Sequence, residues 1–237
     1  MTILKDFDLS VNPGEVVTVV GPSGCGKSTI LKLISGLTPV TDGTIEFEPS
    51  APKPRVGFVF QDYSNALAPW RTVLRNVEFG LEIEGSTPKP ARTEAAHKYL
   101  SMVGLSGFED AYPRELSGGM QQRVQLARVL AFEPDVLLMD EPFGSLDAQI
   151  RRVLQEELRT ILEHIQRTVL FVTHDIEESL YLGDRTIVLS LRPTRILADF
   201  EQPPRPPDFE KFVGSESFRE NYRLVWSLLQ AEIAESQ

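Results

Sequence analysis

The chain has one cysteine and three histidines among its 237 residues, and nowhere do about 18 apolar residues run together. A single thiol, Cys25, rules out an intrachain disulfide and fits a reducing compartment. The missing apolar run leaves no candidate spanning helix. The first ten residues, MTILKDFDLS, lack the apolar core of a signal peptide, so the sequence predicts a protein neither secreted nor membrane-spanning by itself. Basic residues are the minority, 24 Lys+Arg against 34 Asp+Glu for a net charge of −10. That balance argues against nucleic acid as the main partner, because binding to a phosphate backbone rests on a basic surface. Internal repeats are also absent, and the length suits one domain with room for a lobe or appendage.

What is present is concentrated in a few short segments. Residues Gly21 to Thr29 read GPSGCGKST, a complete G-x-x-x-x-G-K-[ST] loop between an apolar run, Val16 to Val20, and a helical pattern. Glycines let successive backbone N–H groups turn around an anion, the Lys27 ammonium reaches β- and γ-phosphates, and the Ser28 hydroxyl suits a Mg²⁺ ligand. The helix behind adds the positive end of its dipole. The loop residues Gly21, Pro22, Ser23, Gly24, Cys25, Gly26, Lys27, Ser28 and Thr29 are therefore the predicted triphosphate cradle, with Cys25 a small filler inside it.

Residues 3 to 20 hold two apolar runs split by Asn12-Pro13-Gly14 and read as two strands. A helix from Thr29 ends near Gly36, Thr44 to Glu48 alternates like a strand, and Arg55 to Phe60 is β-rich. Helical patterns follow at Val73 to Leu81, Thr93 to Val103 and Gly118 to Ala131. They read as a helical lobe, 62–131, inserted in an α/β core formed by 1–61 and 132–200. Strand and helix then alternate again, with strands at Val136 to Met139 and Val169 to Val172, which predicts parallel strands with crossover helices. Ligands in such sheets sit at the carboxyl ends of strands, where Gly21, Asp140 and His174 fall. The Pro-rich stretch from Gln202 to Pro207 is a linker or arm, and 215–235 a tail helix expected to pack on the core through Phe218, Tyr222, Val225, Trp226 and Leu229.

Two further segments carry chemistry. Val136-Leu137-Leu138-Met139-Asp140-Glu141 is an apolar strand delivering two carboxylates; beside a phosphate loop, Asp140 suits Mg²⁺ and Glu141 the polarising of an attacking water. In Leu116-Ser117-Gly118-Gly119-Met120-Gln121-Gln122-Arg123, Ser117 is a natural N-cap and two glycines bare the backbone of a second anion-binding helix start.

The wording LSGGMQQR resembles the signature of ATP-binding cassette (ABC) ATPases, and the resemblance extends over nearly the whole chain. Gln61 resembles the family's Q-loop glutamine, which touches Mg²⁺ or the attacking water and senses the membrane partner. Gly144-Ser145-Leu146-Asp147 resembles the D-loop, with Ser145 where alanine is commoner, and Thr173-His174-Asp175 the switch-histidine motif. The resemblance implies an α/β fold: a P-loop NTPase (RecA-like) core with an inserted helical subdomain and an antiparallel β edge. It also implies a head-to-tail dimer, a homodimer or a pairing with a close paralogue. Ser117, Gly118, Gly119, Gln121 and Asp147 of one copy then meet ATP held by Lys27 and Ser28 of the other. Glu141, His174 and Gln61 are implied as catalytic, and Ser28, Gln61 and Asp140 as Mg²⁺ ligands.

A narrower resemblance lies in Pro69-Trp70-Arg71-Thr72-Val73, Asp140-Glu141-Pro142-Phe143-Gly144 and Leu189-Ser190-Leu191-Arg192-Pro193, which are similar to the nitrate, sulfonate and taurine importers of bacteria. It implies an ATPase subunit at the cytoplasmic face of the membrane, partnered by two permease subunits and, indirectly, a solute-binding protein. The alternatives are a non-transport cassette protein and a nucleotide-binding regulatory subunit with little turnover. One departure stands out. The family's adenine-stacking aromatic lies on a strand before the segment that residues 1–11 match. Either the natural start lies upstream, or adenine is held differently and ATP more weakly; Phe7, the nearby aromatic, is expected in the core.

Overall fold

The computed structural model describes residues 2–47, 54–62, 66–144, 146–204, 206 and 208–235. In chain order these form β1 (Val16–Val20), α1 (Lys27–Ile34), β2 (Val56–Val59), α2 (Val73–Glu84), α3 (Lys89–Met102), α4 (Gly118–Ala131), β3 (Val136–Asp140) and α5 (Ala148–Ile165). They continue with β4 (Thr168–Thr173), α6 (Ile176–Leu182), β5 (Arg185–Leu189), β6 (Ile196–Glu201), α7 (Phe209–Val213) and α8 (Glu216–Glu235). The chain folds as two compact units, one of Met1–Glu48, Leu138–Glu141 and Ile165–Gln237, the other of Pro49–Leu137 and Pro142–His164.

In the first unit the strand order is β3-β4-β1-β5-β6. β1 is parallel to both neighbours, with Val20 opposite Thr173 of β4 and Val188 of β5. All five residues of β1 are buried, which is why it reads as a continuous apolar run rather than an alternation. Its one hydroxyl is satisfied inside: Thr18 Oγ1 donates to the Ser179 carbonyl at 2.9 Å and meets Thr186 Oγ1 at 3.0 Å. β6 closes the edge antiparallel to β5, and Arg185 grips Asp199 across that pair with two contacts of 2.5 Å. The tail helix α8 belongs to this unit and packs on α6 and β5, burying Phe218 and Val225 while Trp226 stays half exposed. Its residues 222, 225, 226 and 229 are thus only partly a core face.

In the second unit α2, α3 and α4 pack mutually, and α4 also covers β2. Asp135 N and Val136 N both donate to the Arg55 carbonyl, tying the start of β3 to the start of β2. Thr72 caps α2 and Gly85, with φ 74°, ends it in the left-handed conformation an L-residue avoids.

Three expectations are corrected. Residues 3–11 form no strand; Leu4 makes a single parallel bridge to Thr194, and Asp6, at φ 51°, turns the chain out of the extended course. Residues 44–47 carry no ladder partner and are not a strand. Phe7 is only partly buried and lines an open cleft with Lys5, Asp8, Pro193 and Arg195, because without a strand no alternation turns it inward. A helix the sequence pattern did not suggest, α6, follows His174, capped by Asp175 Oδ1 accepting from Glu178 N at 3.1 Å.

Candidate functional site

The site in the first unit is built at the carboxyl ends of three adjacent strands. β1 delivers the loop 21–26, β3 delivers Asp140 and Glu141, and β4 delivers His174. The loop needs its glycines for two reasons. Gly26 has φ 125°, a conformation that L-residues rarely adopt, and a Cβ there would stand 2.8 Å from Ile3 Cγ2. At Gly21 a Cβ would crowd Cys25 Sγ and Leu189, both at 3.1 Å. Cys25 is fully buried, and burial pushes its thiol above the ordinary range against the pull of nearby Lys27, so the group stays protonated and fills space.

Lys27 opens α1 and is 4 % exposed. Its ammonium donates to the carbonyls of Gly21 at 2.8 Å and Pro22 at 3.1 Å, and lies 3.6 Å from Glu141 Oε1. The next residue, Ser28, donates through Oγ to Asp140 Oδ1 at 2.8 Å. Asp140 is buried, and that burial holds its carboxyl above the ordinary range; the bond from Ser28 lowers it and the charge of Glu141 raises it further. Glu141 has φ 44°, strained for a residue with a side chain, and its N–H donates to the Val172 carbonyl at 2.9 Å. The strained turn aims the carboxylate back over the loop, where Oε2 stands 2.7 Å from His174 Nδ1. Five predicted residues, Lys27, Ser28, Asp140, Glu141 and His174, therefore share one polar cluster whose centre is a carboxylate between a lysine and an imidazole.

Oxygen donors at Ser28 and Asp140 suit a hard cation such as Mg²⁺, and a buried carboxylate held above its ordinary range is a group that a cation would relieve. The residues present thus fit that ion.

The other predicted residues lie in the second unit. Ser117 caps α4, its Oγ accepting from Met120 N at 3.3 Å, so the helix starts where the motif predicts. Gly118 is its first residue, and Gly119 has a packing duty: a Cβ would meet Ile150 Cγ2 at 3.0 Å. The Gln121 amide turns back to donate to the carbonyls of Pro113 at 2.9 Å and Leu116 at 3.2 Å. Asp147 Oδ1 accepts from Gln149 N and Ile150 N at 3.1 and 3.0 Å, capping α5, and Ser145 lies outside the described residues. Gln61 is exposed just past β2, where the Phe60 carbonyl accepts from the buried Gln125 amide at 3.1 Å. Gln125 escaped sequence reading, and Gln122, named in the signature motif, makes a contact the motif did not suggest, donating to the Pro142 carbonyl. Their spacing of three on one helix was the available signal. No signal points to Thr194, whose hydroxyl donates to the Cys25 carbonyl from 169 residues away.

No described helix is long and apolar enough to cross a membrane. Residues 4–144 match the ABC transporter family. An uncharacterized ABC transporter ATP-binding protein of Methanocaldococcus jannaschii is 48% identical over 240 aligned positions, covering 98% of this chain and 86% of that protein. A nitrate import ATP-binding protein of Synechocystis is 50% identical over 196, covering 81% and 73%. Among solved structures, a dimeric ATP-binding cassette in a post-hydrolysis state bound to ADP and Pi superposes with TM-score 0.71 at 33% identity, covering 85% of this chain and 91% of that one. With a phosphate loop, a carboxylate pair and a histidine gathered at the carboxyl ends of adjacent strands, the chain belongs to the ABC transporter family as an ATP-binding and ATP-hydrolysing cassette.

Proposed function

We propose that this chain powers import of a small anionic solute, of the nitrate, sulfonate or taurine kind, through a separate membrane permease. Similarity to the nitrate import protein and the Pro69-Trp70-Arg71-Thr72-Val73 segment support that class. The observation that carries the ATPase reading is Glu141, held between Lys27 Nζ at 3.6 Å and His174 Nδ1 at 2.7 Å.

In this reading the backbone N–H groups of the loop 21–29, which Pro22 lacks, and the Lys27 ammonium bind the β- and γ-phosphates. Ser28 and Asp140 would hold Mg²⁺, which would supply neutralisation of phosphate charge. Glu141 orients the attacking water and takes its proton, and His174 contacts the γ-phosphate while fixing the Glu141 carboxylate. Ser117, Gly118, Gly119, Gln121 and Asp147 act in trans from a second cassette, most simply a second copy of this chain. Two permease subunits complete the assembly, which this chain joins at the cytoplasmic face of the membrane; an extracytoplasmic solute-binding protein is an indirect partner, and nucleic acid has no part.

Purification of the full chain in mild detergent from its native cell tests the transport reading. Permease and solute-binding subunits should accompany it, and ATPase activity should rise in their presence. Recovery free of any membrane protein, with turnover indifferent to membranes, would sink it.

A further inference from the structure

A phosphate loop works by turning its N–H groups inward, so its carbonyls face outward into protein and need donors of their own. The Cys25 carbonyl finds its donor in Thr194 Oγ1, a hydroxyl with no solvent exposure. The following residue is packed just as closely from the same side: a Cβ on Gly26 would stand 3.2 Å from Thr194 Oγ1. Thr194 therefore touches the loop at the peptide that joins Cys25 to Gly26, immediately before Lys27.

The turn that carries Thr194, residues 190–195 between β5 and β6, is itself clamped. Ser190 N donates to the Arg195 carbonyl at 2.9 Å and Arg195 N returns to Ser190 Oγ at 2.8 Å. Thr194 N donates to the Ile3 carbonyl at 2.8 Å. At the other end of the turn, Leu191 N donates to Glu232 Oε2 at 2.9 Å, and Glu232 sits in the last turns of the tail helix α8. A continuous path thus runs from the carboxyl end of the chain through Leu191 and Thr194 to the Cys25 carbonyl, all inside one compact unit.

We propose that Thr194 is a positioning residue for nucleotide binding, and that Glu232 sets the turn that presents it, so the tail helix tunes the affinity of the phosphate loop. The proposal rests on reading residues 21–29 as that loop. With the hydroxyl removed, the Cys25 carbonyl is left buried and unpaired unless the peptide rotates toward another donor. Rotation would swing the Gly26 N–H away from the cradle. The cost falls on the conformation that binds phosphate, not on the chemical step that Glu141 and His174 serve.

Equilibrium binding of ATP and ADP to the full chain, with steady-state hydrolysis and thermal melting, tests this. Thr194→Val, of nearly equal volume, should raise the ATP Kd and KM about tenfold, with a smaller change in kcat. Thr194→Ser, which restores the donor, should return the Kd to within about twofold of the parent. Glu232→Ala should raise the Kd about threefold, and combined with Thr194→Val should add little, because Glu232 acts through the turn. Unchanged affinity in Thr194→Val, or equal loss in Val and Ser variants, overturns the role of Thr194. Should Thr194→Val fail to fold, Glu232→Ala decides: unchanged affinity overturns the path. Lys27→Ala separates the two readings: if it too binds ATP normally, the phosphate-loop assignment has failed, whereas loss there with normal Thr194→Val sinks only this proposal.

Discussion

His174 Nδ1 lies 2.7 Å from Glu141 Oε2, and the opposite oxygen of that carboxylate lies 3.6 Å from Lys27 Nζ. One carboxylate is thus fixed from both sides by groups delivered on different strands, at a residue whose φ of 44° already constrains it. Pre-orientation of this kind is what a group that handles a water molecule requires.

Glu141→Gln keeps the shape and removes the base. Hydrolysis should slow by about 10²-fold or more while ATP binding survives. Single-turnover ATPase assays and equilibrium binding on the same preparation check both halves, and substantial residual turnover would remove Glu141 from its role.

Lys27→Ala deletes an ammonium that is 4 % exposed and held by two loop carbonyls. ATP affinity should fall by at least about 100-fold, since the ammonium is the loop's own charge-assisted donor to the phosphates. Calorimetric titration reads this directly; affinity near that of the parent refutes the cradle.

Gly26→Ala places a methyl 2.8 Å from Ile3 Cγ2 at a φ of 125°. A loss of about 2 kcal/mol in folding stability is expected, from strain and overpacking together. Adding Ile3→Ala should recover only the packing share, because the backbone strain remains. Denaturant melts of the single and double variants measure the two shares.

Asp199 gives the pH dependence. Hydrogen bonds from Arg185 hold its carboxyl below the ordinary carboxylate range. The unfolded chain therefore binds this proton more readily, so the stabilisation is complete above the unfolded value of about 3.9 and is lost as pH falls through the lower folded value. The pair is partly exposed, which limits it to about 1 kcal/mol or less. Asp199→Asn should be less stable than the parent near neutrality, with the gap closing below about pH 3.9. A gap that widens in acid would reverse the sign and refute the assignment.

Much of this was legible because the chemistry is local in sequence. Val16 to Val20 reads as a buried strand from its apolar run alone, and the glycines at 24 and 26 announce a turn through positive φ. Ser117 marks the start of α4 at the residue predicted, since capping is decided within four residues. Residues 3–11 and 44–47 misled for the complementary reason: alternation marks a strand only where a neighbouring strand is there to pair with it.

By itself, then, the sequence determined the loop, the acidic strand end, the capped signature helix and the parallel alternation, all of which depend on neighbours a few residues apart. Tertiary structure alone decided that Glu141 stands between Lys27 and His174, that Ser28 answers Asp140 across 112 residues, and that Thr194 reaches the loop from 169 residues away on a turn that Glu232 holds. The reason is physical. Side-chain hydrogen bonds between distant segments follow from strand order and register, and a single sequence shows neither until the sheet has closed.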